Sequence, residues 1–238
     1  MNTFLNSLNS IAVVLLASLS ALPAPTQAAE EPGGRTLIGV DISGSSTFTS
    51  EQHSADEAGR YVSNYVLGLE TLPHDLMLVS LGNAGLAQRS IDVRVTLSNR
   101  RATKPRRMAP QFGGYLAGLP GLMESGQLQA DGSTSILSFL RSLEPLCAAG
   151  GSTVMLFTDG IEWSDEVQGR GFLDGRVDLP APGRPFLKGC AVEMHGIGQL
   201  RADQNVSGLE ERLVPVWKDW LTAAGADPVK VTGSFFNF

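Results

Sequence analysis

TLIGVDISGS, at positions 36–45, decides the fold of this chain. The run from Thr36 to Asp41 is short, nearly all apolar and ends in Asp, which predicts a strand buried on both faces of a mostly parallel sheet. A polar turn follows, and apolar residues then recur at helical spacing from Ser50 to Leu69. The stretch therefore begins a strand–loop–helix unit.

The same alternation of strands and helices continues along the chain. Leu76 to Leu81 repeats the buried-strand pattern, and Ile91 to Leu97 alternates strictly, as an antiparallel edge strand with one wet face does. Strands alternating with helices predict a doubly wound, Rossmann-like α/β fold, with a mostly parallel sheet, one antiparallel edge strand and helices on both faces. Periodicity predicts the remaining helices at 112–123, 134–146 and 209–224, and the remaining strands at 154–157, 191–197 and 229–232.

The amino-terminal segment is typical of an export signal. The first 29 residues contain no Lys, Arg, Asp or Glu, and Ile11 to Leu22 is an apolar run of 12 residues, whereas a membrane span needs about 20. Small residues and prolines follow as far as Ala29, so we expect residues 1–29 to be a cleaved signal peptide. The alternative, a core helix at Ile11 to Leu22, is disfavoured by its uncharged flanks. We expect 30–238 to be a single periplasmic or secreted domain without a stable membrane span.

Charge and cysteine content narrow the classes of partner and ligand. The chain has 18 basic and 24 acidic residues, all after Ala29, and this net charge of −6 argues against broad affinity for nucleic acid. Because the protein is expected to be exported, a disulfide between Cys147 and Cys190 is the natural interpretation. In the chain-entropy model such a bond would stabilise the folded state by about 4 kcal/mol. Neither cysteine belongs to a CxxC motif or has a His neighbour, so zinc is not suggested.

Three polar clusters follow predicted strands or precede a predicted helix: DISGS at 41–45, DGSTS at 131–135 and TDG at 158–160. In an open α/β sheet the loops at the carboxyl ends of the strands converge on one crevice. Each cluster alone is also ordinary turn and helix-capping chemistry. Together they predict one site.

The side chains of this predicted site are all oxygen ligands. Asp41 and Asp159 supply carboxylates, and Ser43, Ser45 and Thr134 supply hydroxyls, which is a shell suited to a hard cation such as Mg²⁺. Because few of these ligands are charged, the ion would remain electron-poor and would attract an anionic ligand from outside. An Asp or Glu carboxylate of a partner protein is the natural candidate.

These residues resemble those of a known family. Asp41, Ser43 and Ser45 match the D-x-S-x-S signature of von Willebrand factor A-like (VWA) domains, and Thr134 and Asp159 fall where that family has its second-loop Thr and third-loop Asp. The resemblance implies a metal-ion-dependent adhesion site. In such a site the hydroxyls contact Mg²⁺, Mn²⁺ or Ca²⁺, the aspartates contact it or act through water, and a partner carboxylate completes the shell. The long segment 161–188 departs from the family pattern.

We therefore expect a non-enzymatic, exported protein-binding module, as a component of a cell-envelope assembly. The sequence contains no G-x-S-x-G, GK[ST], H-E-x-x-H or G-x-G-x-x-G motif. Two alternatives stay open: a Mg²⁺-dependent phosphoester hydrolase, and a structural domain with a vestigial metal site. Trp163, just after TDG, fits either an interface anchor on the rim of the site or a residue packed under the long loop.

Five basic residues form a cluster after the predicted edge strand. A solvated loop is the simpler interpretation of this cluster, and a docking patch for an acidic partner is the alternative. The cluster consists of Arg100, Arg101, Lys104, Arg106 and Arg107.

Overall fold

A six-stranded sheet runs through the centre of the structure, a computed structural model that describes residues 33–82, 89–204 and 206–234. The sheet has the order β3-β2-β1-β4-β5-β6, and every neighbouring pair is parallel except β2 and β3, which are antiparallel. The predicted fold class and the antiparallel edge strand are confirmed. The strands are β1 (Gly34–Val40), β2 (His74–Ser80), β3 (Asp92–Leu97), β4 (Ser152–Phe157), β5 (Cys190–His195) and β6 (Val229–Thr232).

Helices cover both faces of this sheet and bury a separate apolar cluster on each. One face carries α1 (Thr47–Ser50), α2 (Gln52–Leu67), α3 (Pro105–Ala117) and α4 (Leu119–Glu124). The other carries α5 (Ile136–Ser142), α6 (Glu144–Ala148), α7 (Gly169–Leu173) and α8 (Leu209–Ala223).

Strand β1 is apolar from Leu37 to Val40 because this part of the strand contacts both clusters. Leu37 packs into the cluster beneath α5 and α8, whereas its neighbour Ile38 packs into the cluster beneath α2 and α3. Successive side chains of a strand point to opposite faces, so a central strand covered on both sides has no polar face.

Three predicted segments differ from the structure. The predicted helix 134–146 is two helices, since Pro145 lacks an amide hydrogen and stands at the start of α6 rather than inside a longer helix. The predicted helix 112–123 is also two helices, α3 and α4, which meet at Gly118, and α3 begins earlier, at Pro105. Arg106 and Arg107 of the basic cluster therefore lie in the first turn of α3 rather than in a loop. The long segment 161–188 contains the short helix α7.

Cys147 and Cys190 form a disulfide that ties the end of α6 to the start of β5, with their Cα atoms 4.9 Å apart. Across the described ranges, no helix combines the length and the apolar character needed to cross a membrane. The predicted signal peptide lies outside the described residues, and the domain boundary at residue 29 stays a prediction.

Candidate metal centre

The three polar loops lie where the chain changes direction across the sheet. Strand β1 has β2 on one side and β4 on the other, so the connections that leave β1 and β4 diverge and open a crevice. Asp41 follows β1 directly, and Thr158 to Gly160 follow β4. The Asp41 amide donates a hydrogen bond to the Phe157 carbonyl over 2.8 Å, which holds the two loops side by side.

The third loop is joined to the first two through its backbone. The Asp131 amide donates to the Ile42 carbonyl at 3.2 Å, and the Thr134 carbonyl accepts the Trp163 amide at 2.8 Å. Residues 131–135 are thereby held between the loop after β1 and the loop after β4.

The Asp41 carboxylate is the centre of a hydrogen-bond network. It is 1% exposed, and its Oδ1 accepts the Ser43 amide at 2.8 Å and the Thr134 hydroxyl at 3.3 Å. Its Oδ2 accepts the Thr158 hydroxyl at 2.8 Å, and the Oγ atoms of Ser43 and Ser45 lie 3.1 Å apart. The network includes Thr158, a residue that sequence reasoning did not single out.

Asp159 lies at the far side of this network and is also 1% exposed. Its Oδ1 accepts the Ile161 amide at 2.8 Å, whereas its Oδ2 is buried and makes no hydrogen bond of normal geometry with any described residue. A buried oxygen that lost its water without gaining a partner is costly, because the desolvation of a polar group is then uncompensated. This oxygen therefore marks a place where a ligand would be stabilised.

The loop that carries Asp159 is fixed from the opposite side by α8. The Trp217 indole donates a hydrogen bond to the Gly160 carbonyl at 2.8 Å, and Trp217 is fully buried. Gly160 has a φ of +78°, and a Cβ added there would fall 2.8 Å from Ile197 Cδ1 and 3.0 Å from the indole nitrogen. Only glycine fits this turn.

The two buried carboxylates of the site, Asp41 and Asp159, both have raised pKa values. Burial raises the pKa of Asp159 to about 7, the Asp41 charge adds to the rise, and the Ser45 hydroxyl and Ile161 amide oppose it. Burial also raises the pKa of Asp41, although hydrogen bonds from Ser43 and the neighbouring hydroxyls counteract the rise. Among the described residues, no Lys or Arg forms an ion pair with either carboxylate.

A third carboxylate, Asp131, lies in the loop that pairs with Ser43 and was not singled out from the sequence. Its pKa is raised by partial burial and by the Asp41 charge. A Cβ on Gly82 would fall 2.2 Å from Asp131 Oδ2, so the carboxylate rests against the glycine backbone. The sequence signal was the first residue of DGSTS, whose place beside Asp41 depends on the loop packing.

The donor set fits a hard cation and no other common type of metal. In the described ranges, no three or more His, Cys, Asp or Glu side chains are grouped to hold a metal, so a zinc-like cluster is absent there. The predicted ligands instead combine two buried carboxylates with hydroxyls, the oxygen chemistry that Mg²⁺ and Ca²⁺ prefer. A cavity of about 230 Å³ opens above them, between Ser43, Ser45, Asp131 and Thr134.

The raised pKa of Asp159 predicts how the metal-free protein responds to pH. Because its pKa of about 7 lies above the ordinary 3.8, the folded state keeps a proton that the unfolded state loses. The contribution of Asp159 to the free energy of unfolding is therefore fully present below pH 3.8, and it is lost as pH rises from there through about 7. In EDTA, urea unfolding at a series of pH values should therefore show the wild type losing stability over this range relative to Asp159→Asn. Identical pH profiles for the two proteins would contradict the expectation.

No protein-family model matches the chain, and neither does any curated protein sequence. Among solved structures, proximal thread matrix protein 1 from the mussel byssus is 17% identical, with 85% of this chain and 44% of that one covered and a TM-score of 0.44. The chain thus spans less than half of the mussel protein. An aerotolerance-related membrane protein from Bacteroides fragilis is 16% identical, with 84% of this chain and 91% of that one covered and a TM-score of 0.45. The SpRpn10 VWA domain is 10% identical, with 84% of this chain and 86% of that one covered and a TM-score of 0.42.

The fold itself can be judged from the strands and loops. The sheet is mostly parallel with one antiparallel edge strand, and the loops that carry the D-x-S-x-S signature, Thr134 and Asp159 meet at its carboxyl edge. These are the features that the sequence resemblance predicts, and the chain has the doubly wound α/β fold that a resemblance to von Willebrand factor A-like domains implies.

Proposed function

We propose that this protein is an exported, non-enzymatic interaction module that binds an acidic side chain of a partner protein through a divalent cation. Asp41, Ser43, Ser45, Thr134 and Asp159 would hold the ion, which is Mg²⁺, Mn²⁺ or Ca²⁺. The bound ion supplies an electron-poor centre that accepts a carboxylate oxygen from outside. The observation that carries the proposal is the buried, unpartnered Oδ2 of Asp159 beside the buried Asp41 carboxylate.

The environment of the site favours capture of a carboxylate over hydrolysis. A metal-dependent hydrolase needs a group that accepts a proton from the attacking water. Asp41 is unsuited to that role, because both of its oxygens already accept hydrogen bonds from the surrounding loops. The remaining oxygen, Asp159 Oδ2, would be occupied by the ion in this proposal. The cavity in front of the hydroxyls instead leaves room for one incoming side chain.

The disulfide supports the exported setting of the proposal. Disulfides persist in oxidising compartments and are rare in reducing ones. Cys147 and Cys190 are both buried, and the structure pairs them. We place the protein in a periplasm or outside the cell, in an envelope assembly.

A matched pair of peptides tests the proposed function. Acetylated and amidated Ala-Ala-Glu-Ala-Ala and its Gln counterpart are titrated into the protein by calorimetry, with Mn²⁺ or with EDTA. We expect binding of the Glu peptide in Mn²⁺ only, and no binding of the Gln peptide, because the amide carries no charge to neutralise the ion.

The control for this test is the variant Ser46→Ala. Ser46 is fully buried and directly follows the predicted ligand Ser45, and its hydroxyl makes no hydrogen bond with any described residue. It should bind the Glu peptide as the wild type does, whereas Ser43→Ala should not. Equal binding of the Glu and Gln peptides, or binding that survives EDTA, would refute the proposal.

A further inference from the structure

A second cavity, of about 440 Å³, adjoins the metal cavity. The two share part of their walls, so they form one continuous depression on the surface that would face the partner. The shared residues are Ser45, Ile161, Trp163 and Gln204.

Trp163 stands at the junction of the two cavities in a fixed position. Its amide donates to the Thr134 carbonyl of the metal-site loop at 2.8 Å. Its indole lies against Gly169, where an added Cβ would fall 2.3–2.8 Å from the ring carbons, so only glycine permits this approach. The side chain is nevertheless 54% exposed. Trp163 is thus packed against the long segment on one side and available to a ligand on the other.

The remaining walls of the second cavity are mainly apolar. Ile161 and Leu200 are 8% and 7% exposed and form its base, together with Leu173, while Val206 is 40% exposed at its edge. Trp163 and Val206 expose apolar surface beside a polar site. Covering this surface with an apolar ligand group would be favourable, since apolar side chains are stabilised by removal from water.

The charged residues on the rim of this cavity are already paired with each other. Arg170 contacts Asp174 at 3.4 Å, and Asp203 contacts Arg201 at 3.4 Å. Arg176 also contacts Asp174, at 2.6 Å, so every charged residue that lines the cavity already has an oppositely charged neighbour. The chemistry of the cavity complements a neutral, apolar group rather than a second acidic one.

From this geometry we infer that the partner segment carries a large apolar side chain, aromatic or leucine-like, next to its metal-binding carboxylate. The acidic residue enters the metal cavity and the apolar neighbour enters the second cavity against Trp163. This inference rests on the proposed function and adds its specificity: the recognised element is an acidic residue with a bulky apolar residue beside it.

The test uses the Glu peptide above as the parent. Trp or Leu replaces Ala at each flanking position in turn, and dissociation constants are measured in Mn²⁺. Burying a leucine-sized side chain should tighten binding by about tenfold or more at the best flanking position. Each peptide is also measured with Gln in place of Glu, so that the apolar and carboxylate contributions separate.

Val206→Asn checks that the gain comes from this cavity. A polar amide at the edge of the cavity should weaken binding of the best Trp- or Leu-containing peptide by about fivefold or more. Binding of the parent peptide should stay unchanged, because Val206 lines the second cavity only. Leu67→Asn is the matched control, since Leu67 is 51% exposed at the end of α2 and lines neither cavity.

The outcomes separate this inference from the proposed function. Mn²⁺-dependent binding of the parent peptide with no preference at any flanking position overturns the inference and leaves the proposed function standing. Absence of any Glu-dependent binding overturns both. Apolar preference that persists with Gln or in EDTA overturns the inference, because the cavity then serves a separate apolar ligand. Self-association that Val206→Asn abolishes overturns it in favour of a second copy of the chain.

Discussion

Saturating Mn²⁺ is expected to raise the melting temperature of the wild-type protein and to leave that of Ser43→Ala unchanged. An ion that binds only the folded state adds about 2.7 kcal/mol at about 100 times its dissociation constant. For a domain of this size that corresponds to roughly 5–10 °C. The ion would relieve the repulsion between the Asp41 and Asp159 carboxylates, so the effect should grow as pH rises toward 8.

The same melts distinguish a working site from a vestigial one. Ser46→Ala should respond to Mn²⁺ as the wild type does, because its hydroxyl lies outside the predicted ligand set. A wild-type melting temperature that Mn²⁺, Mg²⁺ and Ca²⁺ all leave unchanged would remove the metal site and with it the proposed mode of partner binding.

Loss of the disulfide should have the second large effect. The bond closes a loop with a sequence separation of 43 residues, which in the chain-entropy model stabilises the folded state by about 4 kcal/mol. The double variant Cys147→Ala/Cys190→Ala should lose that amount in urea unfolding. Alanine is preferred over serine because both positions are buried, and two buried hydroxyls would add a cost of their own.

Reduction provides the control for the disulfide variant. Wild type treated with a phosphine reductant should approach the stability of the double variant, whereas the double variant should not respond to the reductant. Equal stability of oxidised and reduced wild type would show that the loop between α6 and β5 is ordered without the bond.

The strands of this fold were predictable because a central strand in a doubly covered sheet carries an uninterrupted apolar run. Leu76 to Leu81 and Val154 to Phe157 are such runs, and each lies within two residues of the observed strand. The start of α3 was missed because its first turn, Pro105 to Arg107, carries no apolar residue. Proline at the first helical position was the available signal.

The predicted ligands could be grouped from the sequence because their loops follow strands or precede a helix at one edge of the sheet, where topology brings distant residues together. Thr158 and Asp131 were missed for a different reason. Their roles depend on side-chain packing: Thr158 donates to Asp41 at 2.8 Å, and Asp131 rests against the backbone of Gly82. No spacing rule in the sequence encodes these contacts. The second cavity was equally hidden, since much of its wall comes from α7 and from Leu200, Asp203, Gln204 and Val206, two stretches without regular periodicity.

The hydrogen bonds of Asp41 reach residues 93 and 117 positions further along the chain. During synthesis, the first loop is therefore made long before Thr134 and Thr158. The crevice can form only after β4 has paired with β1. An ion cannot template the folding of this chain in the way that zinc templates a small finger, where ligands lie close in sequence. Binding of the proposed ion would instead follow completion of the sheet, because the predicted ligands come together only then.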